Sequence, residues 1–326
     1  MGNFAVWGLV LVGMLGLLPR VGTAGEAETL LSQVAHATKV LNYEGVFIYA
    51  YESNIDAMRI VHKAENGHEH ERLMSLTGPA REVTRDGTRI TCAFADDKAV
   101  MVEQRPPQDF IGLALSEPIE KVGQYYEFKM LKDDRVADRP TKVILIRPRA
   151  QDRYSYQLWI DQASNLLLKS TVLDSAGQVL EQVIFIEIQI GHTIVEEKLQ
   201  SELDGAGFTW HTNVESVPSP AIQEATTLTV GWVPSGFSMK NSHTQRLATS
   251  RMPVRHVVYS DGLAIVSVFV EELMDDAPPL QGYSSMGAVS AFSRMHEKYQ
   301  ITVVGEIPQA TVRKIAASVA IHSSSN

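Results

Sequence analysis

The chain has 326 residues but a single cysteine, Cys92, so no disulfide can form within it. This excludes the small secreted domains whose folds are held together by disulfides. Cys92 falls in a segment that we predict to be a strand, and we expect a buried, unreactive thiol there. The sequence also lacks a Gly-x-Ser-x-Gly elbow, a His-Glu-x-x-His helix and a glycine-rich phosphate loop. These absences argue against the usual hydrolases and nucleotide-binding enzymes, and we expect no catalytic residues and no cofactor.

Positive charge is in deficit, because 29 Lys and Arg stand against 38 Asp and Glu, giving a net charge of -9. This balance argues against nucleic acid as a partner and against general adsorption to anionic membranes. The net charge does not exclude a local basic patch, and four arginines lie close together in sequence: Arg72, Arg81, Arg85 and Arg89.

Long hydrophobic runs are also missing, apart from one of about fifteen residues near the start, at 4–18. This run is short for a membrane span of roughly 20 residues, although an uncleaved anchor is the alternative reading. The stretch 19–24 follows it and ends in small residues suited to cleavage near Ala24, as expected for a signal peptide over residues 1–24. Its removal would take away Arg20 and no acidic residue. Export without disulfides fits the bacterial periplasm, where we expect the mature chain to reside.

What the sequence does have is a run of three β-rich segments at 154–161, 166–174 and 178–190. Short polar turns separate them, which predicts an antiparallel meander. In the first segment the apolar residues alternate with Ser155, Gln157 and Asp161. Such a sheet has one apolar face, to be covered by helices or a ligand, and one solvated face. The segment is suited to binding rather than to catalysis.

The rest of the chain predicts a mainly β (α+β) protein. An amphipathic helix over 26–41 precedes a series of strands, with a hairpin at Asp86-Gly87. Residues 192–227 show no periodicity and predict a connector between domains. A smaller α+β unit over 228–322 contains a second hairpin at Asp261-Gly262 and a closing helix over 308–321. We expect Asp261 and Gly262 to serve that turn and nothing else.

Several stretches resemble one known family in the expected order. They are Tyr43–Tyr49, Arg81–Cys92, the meander over 154–185, Trp232–Phe237, Tyr259–Glu271 and Thr302–Pro308. Together they span nearly all of the chain beyond residue 24. The chain thereby resembles RseB/MucB, the periplasmic negative regulators of the envelope-stress sigma factor sigma-E or AlgU.

The resemblance implies a large unclosed antiparallel β-barrel over 25–191, similar to the lipoprotein carriers LolA and LolB, and covered by helices. In the family this domain senses lipid, and the small C-terminal domain, here 228–322, binds the anti-sigma factor. The implied partner is the periplasmic segment of a membrane-spanning anti-sigma factor, RseA or MucA. Binding shields that segment from the site-1 protease, and lipopolysaccharide or mislocalised lipoprotein relieves the block. The resemblance leaves open whether the chain forms homo-oligomers.

The candidate lipid-facing residues are apolar or aromatic residues of the predicted strands. For each of them, a place in the ordinary hydrophobic core explains the residue type about as well as contact with a lipid does. They are Phe47, Tyr49, Met58, Ile60, Tyr126, Phe128, Met130, Tyr156, Leu158, Ile184 and Ile186. The candidate partner-binding residues are aromatics of the second unit, since interfaces favour aromatics: Trp232, Phe237 and Tyr259. Their alternative is the core of that unit.

Two other function classes compete with a regulator. A half-barrel can carry lipoproteins or glycolipids, although a carrier needs no second domain. An envelope enzyme is disfavoured by the missing motifs. His68 and His70, near His62, could pair on a metal, but we expect a solvated hairpin tip and no metal site. The paired carboxylates fall near predicted turns, where acids are solvated.

Overall fold

The structure, a computed structural model, describes residues 24–104, 115, 117–203, 207–212, 226–245, 252–274 and 278–323. The predicted signal peptide lies outside these residues, apart from Ala24. The helices are α1 (Ala24–Val40), α2 (Ile119–Val122) and α3 (Gln309–Ser318), and residues Glu196–Leu199 form a 3-10 turn. The predicted first helix is thus confirmed. None of the described helices is long and apolar enough to cross a membrane.

Thirteen of the described strands form one large sheet. They are β1 (Tyr43–Tyr51), β2 (Asn54–Glu65), β3 (His68–Ser75), β4 (Arg81–Asp86), β5 (Arg89–Phe94), β6 (Ala99–Gln104), β7 (Tyr126–Met130), β8 (Asp134–Val136), β9 (Arg139–Pro148), β10 (Ser155–Asp161), β11 (Leu167–Leu173), β12 (Val179–Ile190) and β13 (Thr209–Thr212). Their order is β13-β6-β5-β4-β3-β2-β1-β12-β11-β10-β9-β7, with β8 paired to β9. Since β7 and β13 are its two ends, the described sheet is open. The predicted large, mainly antiparallel sheet is confirmed.

The second unit is smaller and also mainly β. Its strands are β14 (Thr226–Val230), β15 (Ser238–Gln245), β16 (Val254–Ser260), β17 (Ile265–Glu272), β18 (Gly282–Met286), β19 (Val289–His296), β20 (Tyr299–Gly305) and β21 (Val319–Ser323). Six of them form a sheet in the order β15-β16-β17-β20-β19-β18, and β14 pairs with β21. Helix α3 packs on β19 and β20, burying Val312 and Ile315. The Arg294 guanidinium donates to the carbonyl oxygens of Ala316 and Val319, which caps the carboxyl end of this helix.

Two segments differ from their sequence-based predictions. The predicted connector contributes β13, which pairs in parallel with β6. The predicted closing helix ends at Ser318, and the chain continues as β21. The Ser318 carbonyl oxygen accepts a hydrogen bond from the Gly231 amide, and this contact leads into the β14–β21 pair. The pairing partner of β21 comes from nearly a hundred residues earlier, so the helical periodicity could not reveal it.

The meander β10–β12 is confirmed, but its second face is not simply solvated. Trp159 and Asp161 are buried on it. The Trp159 indole N–H donates to Asp134 of β8, at 2.9 Å. The Asp161 carboxylate accepts two hydrogen bonds of 2.8 Å from Arg139 and further ones from Ser164. Burial raises the pKa of Asp161, but these hydrogen bonds outweigh it and lower the pKa overall.

The cluster of four arginines is not a free basic patch. Arg72 and Arg85 are almost completely buried. Arg72 pairs with Glu82, and Arg85 pairs with Glu71, each at 2.6 Å. Buried cations need such partners, so both guanidinium groups are paired within the sheet and do not face an anionic ligand. Only Arg81 and Arg89 are exposed. Cys92, expected to be buried, is half-buried.

Candidate functional site

The register of the large sheet defines one continuous face. Directly paired residues of antiparallel strands point to the same side. Leu158 pairs with Ser170, Ser170 with Val183, and Val183 with Tyr49. On the other side, Leu158 pairs with Ile144 of β9, which in turn pairs with Met130 of β7. We call the face that carries Leu158 and Tyr49 the inner face.

Nine of the eleven lipid-facing candidates lie on the inner face by this register: Phe47, Tyr49, Met58, Ile60, Tyr126, Phe128, Met130, Tyr156 and Leu158. The other two do not join them. Ile184 pairs with Ile48 and Lys169, which places it on the opposite face. Ile186 lies at a bulge in the β1–β12 ladder and is 57% exposed. Val183 and Phe185 pair with Tyr49 and Phe47 and so point inward. Because both faces of β12 carry apolar residues, alternation along the sequence could not show which set lies on the inner face.

Helix α1 covers part of the inner face. Its apolar residues Ala27, Leu30, Leu31 and Val34 belong to the same buried cluster as Tyr126, Phe128, Tyr156 and Leu158. Met130 packs against this cluster, and Tyr49 and Met58 pack against a second one that contains Phe47, Ile60 and Phe185. The candidates under α1 are therefore core in this arrangement. A ligand could reach the fully buried ones only if an element that covers the inner face moved.

Two turns of the second unit also pack on the inner face. Leu263, in the β16–β17 turn, and Ala288, in the β18–β19 turn, are both buried in the cluster under α1. Gly262 has φ +101°, and a Cβ there would lie 2.8 Å from the Glu117 side chain and 2.9 Å from Val122. Only glycine fits this position, because the backbone conformation and the close approach both exclude a side chain.

Asp261 joins the two units, which corrects the expectation that it serves the turn alone. Its Oδ1 accepts hydrogen bonds from the Leu263 and Ala264 amides, so it does hold the turn. Its Oδ2 accepts a 2.9 Å hydrogen bond from the Tyr126 hydroxyl and lies 3.0 Å from Arg153 Nε. Burial, and then the charges around it, raise the pKa of Tyr126 well above its usual range. The phenol therefore stays protonated and donates.

Arg153 is the other half of this junction. It is 4% exposed and donates to the Ser235 carbonyl oxygen of the second unit. Its guanidinium also lies 5.1–5.6 Å from the ring centroids of Tyr125, Tyr126 and Phe237. Such cation–π contacts strengthen when they are desolvated. The Arg153 guanidinium thus contacts a carboxylate, a carbonyl oxygen and three aromatic rings, which come from both units.

The partner-binding candidates lie in or against the core of the second unit. Phe237 is buried there and touches the junction through Arg153. The Trp232 ring is half-buried beneath Lys314 Nζ, 3.8 Å from its centroid. Tyr259 is half-buried, and burial raises the pKa of its hydroxyl. Contact of these three with a partner stays a prediction.

The histidines considered for a metal lie on β2 and β3. His62 is buried, stacks on Tyr43 and contacts the Leu41 carbonyl oxygen at 2.8 Å. His70 lies 3.5 Å from Asp86, and His68 follows a turn at Asn66 and Gly67 with positive φ, as predicted for a hairpin tip. Within the described ranges, no three His, Cys, Asp or Glu side chains converge as metal ligands would.

Comparison with known protein families matches two models to this chain. The MucB/RseB N-terminal domain matches residues 26–203, and the MucB/RseB C-terminal domain matches residues 222–320. The chain belongs to the MucB/RseB family. It is 30% identical to the sigma factor AlgU regulatory protein MucB of Pseudomonas aeruginosa, over 95% of this chain and 96% of the relative. It is 28% identical to the sigma-E factor regulatory protein RseB of Escherichia coli, over 89% of each.

Solved MucB structures share the fold. A crystal structure of MucB in complex with MucA(peri) aligns with a TM-score of 0.70 and 28% identity, covering 92% of this chain and all of that one. A crystal structure of MucB alone aligns with a TM-score of 0.65 and 27% identity, covering 90% and 98%. The relatives are thus named as regulatory proteins, and one is seen bound to a partner.

The junction in this MucB/RseB chain draws on both family domains, since Tyr126 and Arg153 fall in the N-terminal match and Asp261 in the C-terminal match. The sequence did not identify Arg153 as a functional residue, and it predicted for Asp261 only a role in the hairpin turn. An Asp-Gly pair between two strands is the ordinary hairpin signal. Nothing in the sequence distinguishes an Asp that also bonds a second unit.

Proposed function

We propose that this chain is a periplasmic negative regulator of an envelope-stress sigma factor. It binds the periplasmic domain of a membrane-spanning anti-sigma factor and shields it from the site-1 protease. The observation that carries the proposal is the likeness to MucB in complex with MucA(peri), which extends over 92% of this chain. Lipid, either the acyl chains of lipopolysaccharide or those of a mislocalised lipoprotein, releases the complex.

The proposed domain roles follow the two units. Residues 25–191 sense lipid, residues 228–322 hold the anti-sigma factor, and 192–227 connect them, after a cleavable signal peptide over 1–24 directs the chain to the periplasm. The apolar inner face supports the first role, because burying acyl chains there stabilises binding by about 0.8 kcal/mol for each CH2. Ten buried CH2 groups would supply on the order of 8 kcal/mol.

Release needs a physical link between the two roles, and the junction offers one. Acyl chains that enter under α1 compete with Leu263 and Ala288 for the inner face, since both are buried in that cluster. Displacing Leu263 pulls on the turn that Asp261 holds against Tyr126 and Arg153. A ligand that favours the separated arrangement weakens partner binding by its differential affinity for the two arrangements.

The proposal is tested by protease protection. The purified chain is mixed with the periplasmic segment of the organism's anti-sigma factor and the site-1 protease, with and without lipopolysaccharide. We expect the chain to block cleavage and lipopolysaccharide to restore it. Binding of lipid without any protection of the segment would instead favour a lipoprotein or glycolipid carrier, and absence of both would reject the regulator and the carrier together.

The lipid face is tested with a matched pair of substitutions. Met130→Asp places a charge at a half-buried position of the inner face. Ile186→Asp makes the same kind of change at an exposed position away from it. We expect Met130→Asp to abolish relief by lipopolysaccharide while protection persists, and Ile186→Asp to behave like the wild type. Equal lipid responses from two folded variants would reject the inner face as the lipid site.

A further inference from the structure

A second polar contact joins the two units, centred on Glu181 of β12. Its Oε2 accepts a 3.2 Å hydrogen bond from the Ala288 amide, in the β18–β19 turn, and a 3.1 Å hydrogen bond from the Tyr49 hydroxyl. The approach is close, because a Cβ on Gly287 would lie 2.9 Å from the same oxygen. Glu181 therefore holds a turn of the second unit on the sheet of the first.

Another carboxyl group lies beside this contact on the second unit, because Gly305 pairs with Ser290 and so places the next residue, Glu306, next to the β18–β19 turn. Glu306 follows β20 directly and is half-buried. Among the described residues, no lysine, arginine or histidine forms an ion pair with Glu181 or Glu306. When two carboxyl groups share a desolvated site without a cation, ionising the second one costs more free energy than it would in water, and its pKa is raised. Burial, and then the charge of Glu181, raise the pKa of Glu306 to about 7.

The other titratable groups around the pair do not supply a counter-charge. They are Tyr49 and Tyr51 of β1, Tyr156 of β10 with Tyr154 just before that strand, and Tyr283 of β18. Burial raises the pKa of Tyr49, Tyr154 and Tyr156, so these phenols stay neutral. Asp261, whose charge also acts on Tyr156, has Arg153 as its own partner. The Tyr156 hydroxyl is buried and lacks a hydrogen-bond partner among the described residues.

We propose that Glu181 and Glu306 form a proton-operated clasp between the two units. While the pair holds one proton, the β18–β19 turn stays docked on the inner face, and loss of that proton loosens the junction. This inference is independent of the proposed anti-sigma function, since it concerns only how the two units of this chain are held together.

The direction of the effect follows from proton linkage. With the units apart, Glu306 returns to the ordinary pKa of a glutamate, near 4.5. The docked state binds the proton more tightly than the separated state, so docking is favoured at low pH. It weakens as pH rises from about 4.5 and is weakest above about 7. A pKa difference of this size allows a change in the docking equilibrium of up to roughly 300-fold.

The test is hydrogen exchange of the purified chain at several values between pH 5 and pH 8. The readout is the protection factor of amides in the segment 286–291, which removes the intrinsic pH dependence of exchange. In the wild type we expect protection to fall at least tenfold over this range. Glu306→Gln keeps the shape of the protonated acid, so its protection should stay high and flat.

Glu187→Gln is the matched control, because Glu187 is an exposed glutamate on the same strand as Glu181. It should follow the wild-type profile. A flat wild-type profile, or an equal fall in Glu306→Gln, overturns the clasp. If Glu306→Gln does not fold, the Glu306 carboxyl carbon is titrated in the wild type by NMR. A midpoint above pH 6 supports the clasp, and a midpoint at or below pH 6 refutes it.

Discussion

Asp261→Asn removes a buried charge from the junction with almost no change of shape. Asp261 and Arg153 are 3% and 4% exposed. The single oxygen of the asparagine can accept from the turn amides, which leaves its NH2 against Arg153 Nε and the Tyr126 hydroxyl. Alternatively it can accept from Arg153 and Tyr126, which leaves its NH2 against the turn amides. Removing one partner of a buried ion pair costs about 3–5 kcal/mol, because the other charge is left uncompensated. The rings around Arg153 retain about 1–2 kcal/mol of cation–π stabilisation. We therefore expect a loss of about 3 kcal/mol.

The measurement is urea unfolding at pH 7 followed by far-UV circular dichroism. Because the chain has two units, the free energy of the first unfolding transition is compared. Asp138→Asn is the control, since Asp138 pairs with Arg135 in an exposed ion pair, and we expect a change within about 0.5 kcal/mol. If Asp261→Asn costs less than about 1 kcal/mol, the junction does not depend on this charge.

Three further outcomes are expected. Leu158→Ala should lower the free energy of unfolding by about 2–5 kcal/mol, whereas Ile186→Ala, at an exposed site, should stay within about 0.5 kcal/mol in the same urea experiment. Asp161→Asn should cost about 1.5–3 kcal/mol at pH 7 and flatten acid unfolding below about pH 4. The pKa of Asp161 is lowered in the folded state, so its contribution to the free energy of unfolding is present above its unfolded-state pKa and is lost as pH falls. Acid unfolding of the variant with the same pH dependence as the wild type would contradict this. Gly236→Ala should cost at least about 1 kcal/mol of thermal stability, because Gly236 has φ +93° and a Cβ there would lie 2.5 Å from the Tyr125 ring; an unshifted melting curve would show that the ring moves freely.

Much of the inner face could be predicted because it depends on local alternation. Tyr156 and Leu158, two residues apart on one strand, must share a face, and the ladders carry that face across to Met130 and Tyr49. Alternation alone did not identify which face of β12 points inward, because both faces carry apolar residues and only the pairing partners show that Phe185, and not Ile184, lies on the inner face. It also could not show that α1 lies on this face, since an amphipathic helix has no sequence mark for the surface that it covers.

The sequence by itself determined the family, the mainly β class and the strands of the meander, because period-two alternation, Asp-Gly turns and ordered motifs are properties of neighbouring residues. The tertiary structure alone decided how the two units meet. Tyr126 and Asp261 are 135 residues apart in sequence, and Glu181 and Ala288 are 107 apart. Such contacts arise from how two folded surfaces fit, and each partner looks ordinary within its own strand or turn. The roles of Asp261, Arg153 and Glu306 became visible only when burial and charge could be assigned to both sides of the junction.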